Sequence, residues 1–128
     1  MKLLLDTHTL LWMVDESPEL SNRAAGLIAD AANTKHVSVA SFWEIAIKVS
    51  TCKLTLSLSL AKLIADLRGT GLIQIEPLAD AHLAAVSALP FHHRDPFDRL
   101  IVAQALADGM VVLGRDEAFD DYGVRRVW

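Results

Sequence analysis

The sequence predicts an α/β domain built on a mostly parallel sheet, and three observations carry that expectation. Short apolar, β-prone runs recur along the chain, longer stretches with helical spacing lie between them, and glycine or proline marks many junctions. Strands alternating with helices read as a parallel sheet covered on both faces. The 128 residues suit a single domain spanning 1–128, since about 100–200 residues per domain is usual.

Taken in order, Lys2–Leu5 is the first candidate strand, followed by an apolar helical pattern containing Trp12. His36–Val39 is the second, and Trp43 sits in the helical pattern after it. Leu54, Leu56, Leu58 and Leu60 alternate, so the first half of that segment reads as extended and the second as helix. Leu60, Leu63, Ile64 and Leu67 then follow i, i+3, i+4, i+7 spacing, with Ser59 placed to cap the first turn. Leu72–Ile75 is the third strand, between Gly71 and Pro77. Leu100, Ala103 and Ala107 mark a helix that stops before Gly109, and Met110–Leu113 and Val124–Val127 complete the strands. There are no repeats, linkers or blocks of like charge.

Composition narrows the class. Hydrophobic residues at 52% and charged residues at 22% exclude a disordered chain. No apolar run approaches the roughly 18 residues of a membrane span. Asp6 interrupts Leu3-Leu4-Leu5 too early for a secretory signal, so the chain reads as a cytosolic globular domain. The single cysteine, Cys52, excludes an intrachain disulfide and a cysteine-rich zinc site, and reads as a buried or partly buried small hydrophobe. A formal charge of −4 argues against a broad basic face for nucleic acid. It leaves a nuclease open, because metal ions can supply positive charge at an acidic site.

Open parallel sheets bind ligands outside the carboxyl ends of their strands. Four acids fall at that predicted edge. Asp6 follows the first strand, Glu44 lies one turn into the helix after the second, Asp98 opens the long helix, and Asp116 follows the fourth strand. Each has a structural reading when taken singly. Asp6, Asp95 and Asp116 suit helix N-caps, Ser41 to Glu44 has capping-box spacing, Glu44 can pair with Lys48, and Asp98 favours a helix dipole. Together they are harder to explain by capping. Two carboxylates about 5 Å apart repel by about 3 kcal/mol at an effective dielectric of about 20, whereas a cap contributes about 1 kcal/mol. If the four converge, a cation belongs among them, and hard oxygen donors without His or Cys select Mg²⁺ or Mn²⁺.

Leu3-Leu4-Leu5-Asp6-Thr7-His8, Ser38 to Ile45, His93 to Ala105 with its Asp95-Pro96-Phe97-Asp98-Arg99 core, and Arg115-Asp116-Glu117-Ala118-Phe119 resemble, in order, the motifs of PIN-domain nucleases. The nearest resemblance is to the VapC-type toxins of toxin–antitoxin pairs, and it runs essentially end to end. It implies a three-layer α/β/α fold around about five parallel strands, a count that the strand assignment reaches independently. It also implies a Mg²⁺- or Mn²⁺-dependent endoribonuclease, a homodimer and inhibition by a cognate antitoxin of the VapB kind. By position, Asp6, Glu44 and Asp98 match the principal metal-binding acids and Asp116 the fourth. Gly114 stands where the family often has Thr or Ser, so the resemblance implies the loss of a hydroxyl that would support Asp116 or a water.

The mechanism so implied is attack of a metal-activated water on an RNA phosphate. Thr7, Arg94, Arg99 and Arg115 are candidates for substrate contact, each with an equally good structural reading as a local hydrogen bond, a solvated charge or an ion pair. His8, His92 and His93 lie near the motifs, though a loop histidine pair is more often plain surface; His36 and His82 read as structural. Trp12, Trp43 and Trp128 are able to stack bases, while packing or a dimer contact suits Trp12 and Trp43 better. Two other readings compete. A non-catalytic RNA-binding or dimerisation module leaves the clustered acids without a purpose, and a phosphatase of the haloacid-dehalogenase type needs an acid where His8 stands.

Overall fold

Alternation along each apolar run sends successive side chains to opposite faces, so one sheet acquires two cores. In the computed structural model, which describes residues 1–128, Leu3 and Leu5 enter one core and Leu4 enters the other. The elements run β1 (Lys2–Leu5), α1 (Thr7–Val14), α2 (Asn22–Ala29), β2 (Thr34–Ser38), α3 (Val39–Ser50), α4 (Leu60–Thr70), β3 (Ile73–Glu76), α5 (Asp80–Ala88), α6 (Pro96–Asp108), β4 (Val111–Leu113), a 3₁₀ turn (Glu117–Tyr122) and β5 (Arg126–Val127). The five strands lie in the order β3-β2-β1-β4-β5, and every neighbouring pair is parallel. Helices flank the sheet to give the three-layer α/β/α arrangement.

One core packs Leu3, Leu5, Val37, Ile73, Val111 and Leu113 against Leu10 of α1, Phe42 and Ile45 of α3, and Leu63 and Leu67 of α4. The other packs Leu4 and Val112 against Ile101, Val102 and Ala105 of α6, and Phe119 and Tyr122 of the 3₁₀ turn. Central β1 is buried from Leu3 to Leu5, as a strand covered on both faces must be. Gly109 ends α6 in the left-handed conformation, at φ 65°, which frees the chain to turn into β4.

The strand order places the switch point between β1 and β4. From β1 the chain builds outward through β2 and β3, then returns to the other side of β1 for β4 and β5. Leu5 is opposite Leu113, so the residues that leave both strands emerge side by side. That crevice is where a doubly wound sheet presents its site.

Some local expectations change. The second strand ends at Ser38 and passes directly into α3, so Val39 is helical rather than extended. Ser38, not the later serine, is the N-cap; Ser41 therefore lies inside the helix and forms no capping box with Glu44. Cys52 is exposed, in a left-handed turn after α3 at φ 59°, and is not a core residue. Trp43 is 56% exposed, its ring edge against Phe97 with centroids 5.2 Å apart, so it is no core residue either. Ser59, Asp6, Asp95 and Asp116 all cap as their positions suggest. No helix is long and apolar enough to cross a membrane.

Candidate active site

Asp6 leaves β1 and caps α1, its Oδ1 accepting the Thr9 N–H at 2.7 Å. The carboxylate is nearly fully buried, and burial raises its pKa; bonds from Thr9 and the charge of His8 oppose the rise, while Glu44 adds to it. Its other oxygen, Oδ2, occupies the space beside Gly114. A β-carbon there would lie 2.7 Å from Oδ2 and 3.0 Å from Cγ, closer than packed atoms approach. The Thr or Ser expected at this position has no room. Any side chain at this position would have to displace the Asp6 carboxylate.

Glu44 is also buried, one turn into α3. Thr7 Oγ1 lies 2.7 Å from its Oε1 and 3.0 Å from Ser41 Oγ. A carboxylate only accepts, so the Thr7 hydroxyl donates to Glu44 and is left free to accept from Ser41. Lys48 holds Oε2 at 2.6 Å, the pairing that i,i+4 spacing suggests. Thr7 thus supports an acid directly. Ser41 lies inside α3 rather than at its cap, and its position three residues before Glu44 on one helix face is the signal that marks it as a neighbour of that acid.

Asp98 is the third residue of α6. Asp95 caps that helix by accepting the N–H groups of Phe97 and Asp98, which leaves the Asp98 carboxylate free of capping duty. The Trp43–Phe97 contact fastens α3 to the start of α6, and the residues that follow those rings are Glu44 and Asp98. The Asp98 pKa is pushed up to about 7, first by burial and then by the charges of Asp95, Glu44, Asp6 and Asp116. Acids from four separate segments therefore act on one another across the crevice. Asp116 is exposed and caps the 3₁₀ turn through the Ala118 N–H at 2.9 Å.

A cleft of about 520 Å³ opens between Asp6 and Asp116, lined also by His8, Trp12, Arg115 and Glu117. Glu44 and Asp98 do not line it. No three His, Cys, Asp or Glu side chains meet closely enough to chelate an ion with the side chains as they stand. The donor chemistry nonetheless suits a hard divalent cation: four carboxylates, one with its pKa pushed up to about 7 by burial and by neighbouring acids, and a crevice free of competing Cys.

The arginines separate. Arg94 is exposed on the loop before α6. Arg115 pairs with Glu19 at 2.6 Å and lies 4.5 Å from the centre of the Trp12 ring, at the mouth of the cleft. Arg99 is buried, and its guanidinium donates to the carbonyls of Pro90, Leu89 and Val86 at 2.6, 3.2 and 3.4 Å. With its donors committed to the chain, Arg99 faces away from substrate work. His36 and His82 are structural, paired with Glu76 at 2.6 Å and Asp108 at 2.8 Å. His93, by contrast, leaves the surface and turns toward Asp98, 3.9 Å away.

Comparison with known proteins supplies the rest. A search of curated proteins finds no match. Among solved structures, the chain is similar to the VapBC2 complex of Rickettsia felis bound to a DNA fragment from its promoter, at 16% identity and a TM-score of 0.71, over 99% of this chain and 98% of that one. It is similar also to DNA-bound VapBC from Salmonella typhimurium, at 16% identity and a TM-score of 0.67, covering 99% and 97%. A third is VapBC-1 from nontypeable Haemophilus influenzae, at 12% identity and a TM-score of 0.65, again over 99% and 97%. At such identities the likeness is one of fold. The family profile for the PIN domain matches residues 3–124, a span that runs from β1 through β4 and takes in all four crevice acids, and the chain therefore belongs to the PIN domain family.

Proposed function

We propose that this chain is a Mg²⁺- or Mn²⁺-dependent endoribonuclease, a single PIN nuclease domain that serves as the toxin of a toxin–antitoxin pair. PIN domains are in general nucleases, and the observation that carries the reading is the mutual influence of Asp6, Glu44, Asp98 and Asp116 at the switch point. A carboxyl such as Asp98, whose pKa is raised by burial and by neighbouring carboxylates, is costly to ionise unless a cation is part of the working state.

When bound, the metal would supply a hydroxide-like nucleophile and neutralise charge on the phosphate. Asp6, Glu44, Asp98 and Asp116 would hold it, directly or through water. Thr7 and Lys48 keep the Glu44 carboxylate in one orientation, and the Thr9 N–H does the same for Asp6. Arg115 and Trp12, at the cleft mouth, are placed to meet phosphate and base. The solved relatives are toxin–antitoxin assemblies, which supports an antitoxin partner here. A homodimer belongs to the same reading, supported by the exposed apolar row Val39, Trp43 and Ile47 along α3. So does a cytoplasmic place of action, where cellular RNA is found.

Cleavage of a defined structured RNA with Mg²⁺, Mn²⁺ or EDTA tests this, beside Asp98→Asn purified identically. Metal-dependent cleavage that falls at least about a hundredfold in the variant is the expected result. One feature favours a non-cutting RNA-binding module instead: both Glu44 oxygens are already engaged, by Thr7 and Lys48. Equal cleavage by both preparations removes Asp98 from catalysis, and RNA binding without cleavage in any metal favours the module.

A further inference from the structure

One buried nitrogen of this chain has no partner, and it belongs to His93. Its Nε2 makes no hydrogen bond, although it is shielded from solvent. Leaving a buried polar atom unpaired costs about 1–3 kcal/mol, so such an atom asks for a reason. The nearest acid is Asp98, with Oδ2 at 3.9 Å. No hydrogen bond from the chain reaches the Asp98 carboxylate, and Asp95 has taken the N-terminal amides of α6.

The far side of the ring fixes which nitrogen carries hydrogen. The Tyr122 hydroxyl oxygen accepts the His93 backbone N–H at 3.2 Å and lies 3.4 Å from Arg99 Nη1, both of which can only donate. Its own proton is then free for His93 Nδ1, at 3.0 Å, the alternative acceptor being the more distant His93 carbonyl at 3.4 Å. With Nδ1 accepting, the neutral ring carries its hydrogen on Nε2, and the cationic ring carries one there as well. A donor is thus aimed at Asp98 across a gap about 1 Å longer than a hydrogen bond.

We propose that His93 is a positioning residue for Asp98, its Nε2–H gripping one carboxylate oxygen so that the other is presented to the crevice. Arg99 and Tyr122 stand behind it and hold the ring. The inference rests on the reading of Asp98 as a metal-holding acid, and assigns to a loop histidine the support that such acids draw from neighbours.

Two substitutions separate this role from a structural one. His93→Asn places an amide near Nδ1, keeps a partner for Tyr122 and loses the donor toward Asp98. His93→Gln extends an amide to the Nε2 position and keeps that donor. The readouts are the Mn²⁺ midpoint, from the rise of melting temperature with metal, and kcat and KM for RNA cleavage; melting in EDTA checks folding. The Asn variant should need about tenfold more Mn²⁺ or above and lose kcat rather than KM, while Gln stays within about threefold of wild type. Should the Asn protein fail to fold, Tyr122→Phe, which frees the ring to change tautomer, is expected to raise the Mn²⁺ midpoint likewise, and an unchanged midpoint there overturns the proposal. Asn and Gln behaving alike, whether both altered or both unaltered, also overturns it. Asp98→Asn run alongside tells the two failures apart. If it shifts the midpoint while His93→Asn does not, His93 is dismissed and the site stands; if Asp98→Asn is silent, the underlying reading of Asp98 falls and takes the proposal with it.

Discussion

Asp98 carries the clearest residue-scale consequence. Its pKa rises from 3.8 to about 7 on folding, so between those values the folded protein holds a proton that the unfolded chain has released. Stability of the metal-free protein therefore falls as pH rises through that window, with no contribution below 3.8 and the full cost above about 7, of the order of 4 kcal/mol at most. Asp98→Asn should accordingly stabilise the metal-free protein near pH 8 and make little difference near pH 4, as urea melts in EDTA at the two pH values can show. Stabilisation by Mn²⁺ should grow across the same window, because the ion competes with that proton. Gly114 makes a second residue-scale case. The resemblance raises a lost hydroxyl at this position, and the structure packs the Asp6 carboxylate where even a β-carbon would meet it. Gly114→Ala should displace that carboxylate, costing about 1–3 kcal/mol of stability and at least about tenfold in Mn²⁺ midpoint, measured by thermal melts with and without metal. Wild-type behaviour of the alanine variant would show that the crevice yields easily.

Among the elements, the sequence was most legible where period and punctuation agree. The short runs at Lys2–Leu5 and Met110–Leu113, and the capped pattern from Ser59, became β1, β4 and α4 with small shifts of boundary. The start of α3 was misplaced because β2 enters it without a loop, and a Ser three residues before Glu looks the same inside a helix as at its cap. Helices α2 and α5 have no clear signal in the sequence: α5 is rich in alanine, which blurs the contrast between faces, and α2 is only eight residues, too short to repeat its period. Asp6, Glu44, Asp98 and Asp116 were placed by what precedes each one, which is information the sequence holds. The partners Tyr122 and His93 were not, since a ring turned inward is a property of packing, whereas Ser41 carries its signal in its spacing from Glu44. Arg99 shows the same limit: its place beside Asp98 suggested phosphate, but its donors tie α6 to the loop Leu89–Pro90 and to α5. Arg99→Met should therefore lower stability by about 3 kcal/mol in urea melts, by orphaning those carbonyls. Arg115→Ala, at an exposed pair, should leave stability nearly unchanged and weaken RNA binding in a filter-binding assay. Reversed effects would exchange their roles.

At the scale of the whole molecule, the strand order does what no single motif can. It brings the ends of β1 and β4 side by side, and the Trp43–Phe97 contact draws the start of α6 toward α3. Four acids scattered from residue 6 to residue 116 thereby come to share one electrostatic environment in a protein whose net charge is only −4. A common metal site at this crevice is the central claim. The measurement that bears on it most directly is the melting temperature near pH 8 with and without millimolar Mn²⁺, for the wild type and for Asp6→Asn, Glu44→Gln, Asp98→Asn and Asp116→Asn. Metal at about a hundred times its dissociation constant should stabilise the wild type by about 2.7 kcal/mol, and each substitution should diminish that gain. A wild type indifferent to Mn²⁺, or a gain that survives all four substitutions, would contradict it.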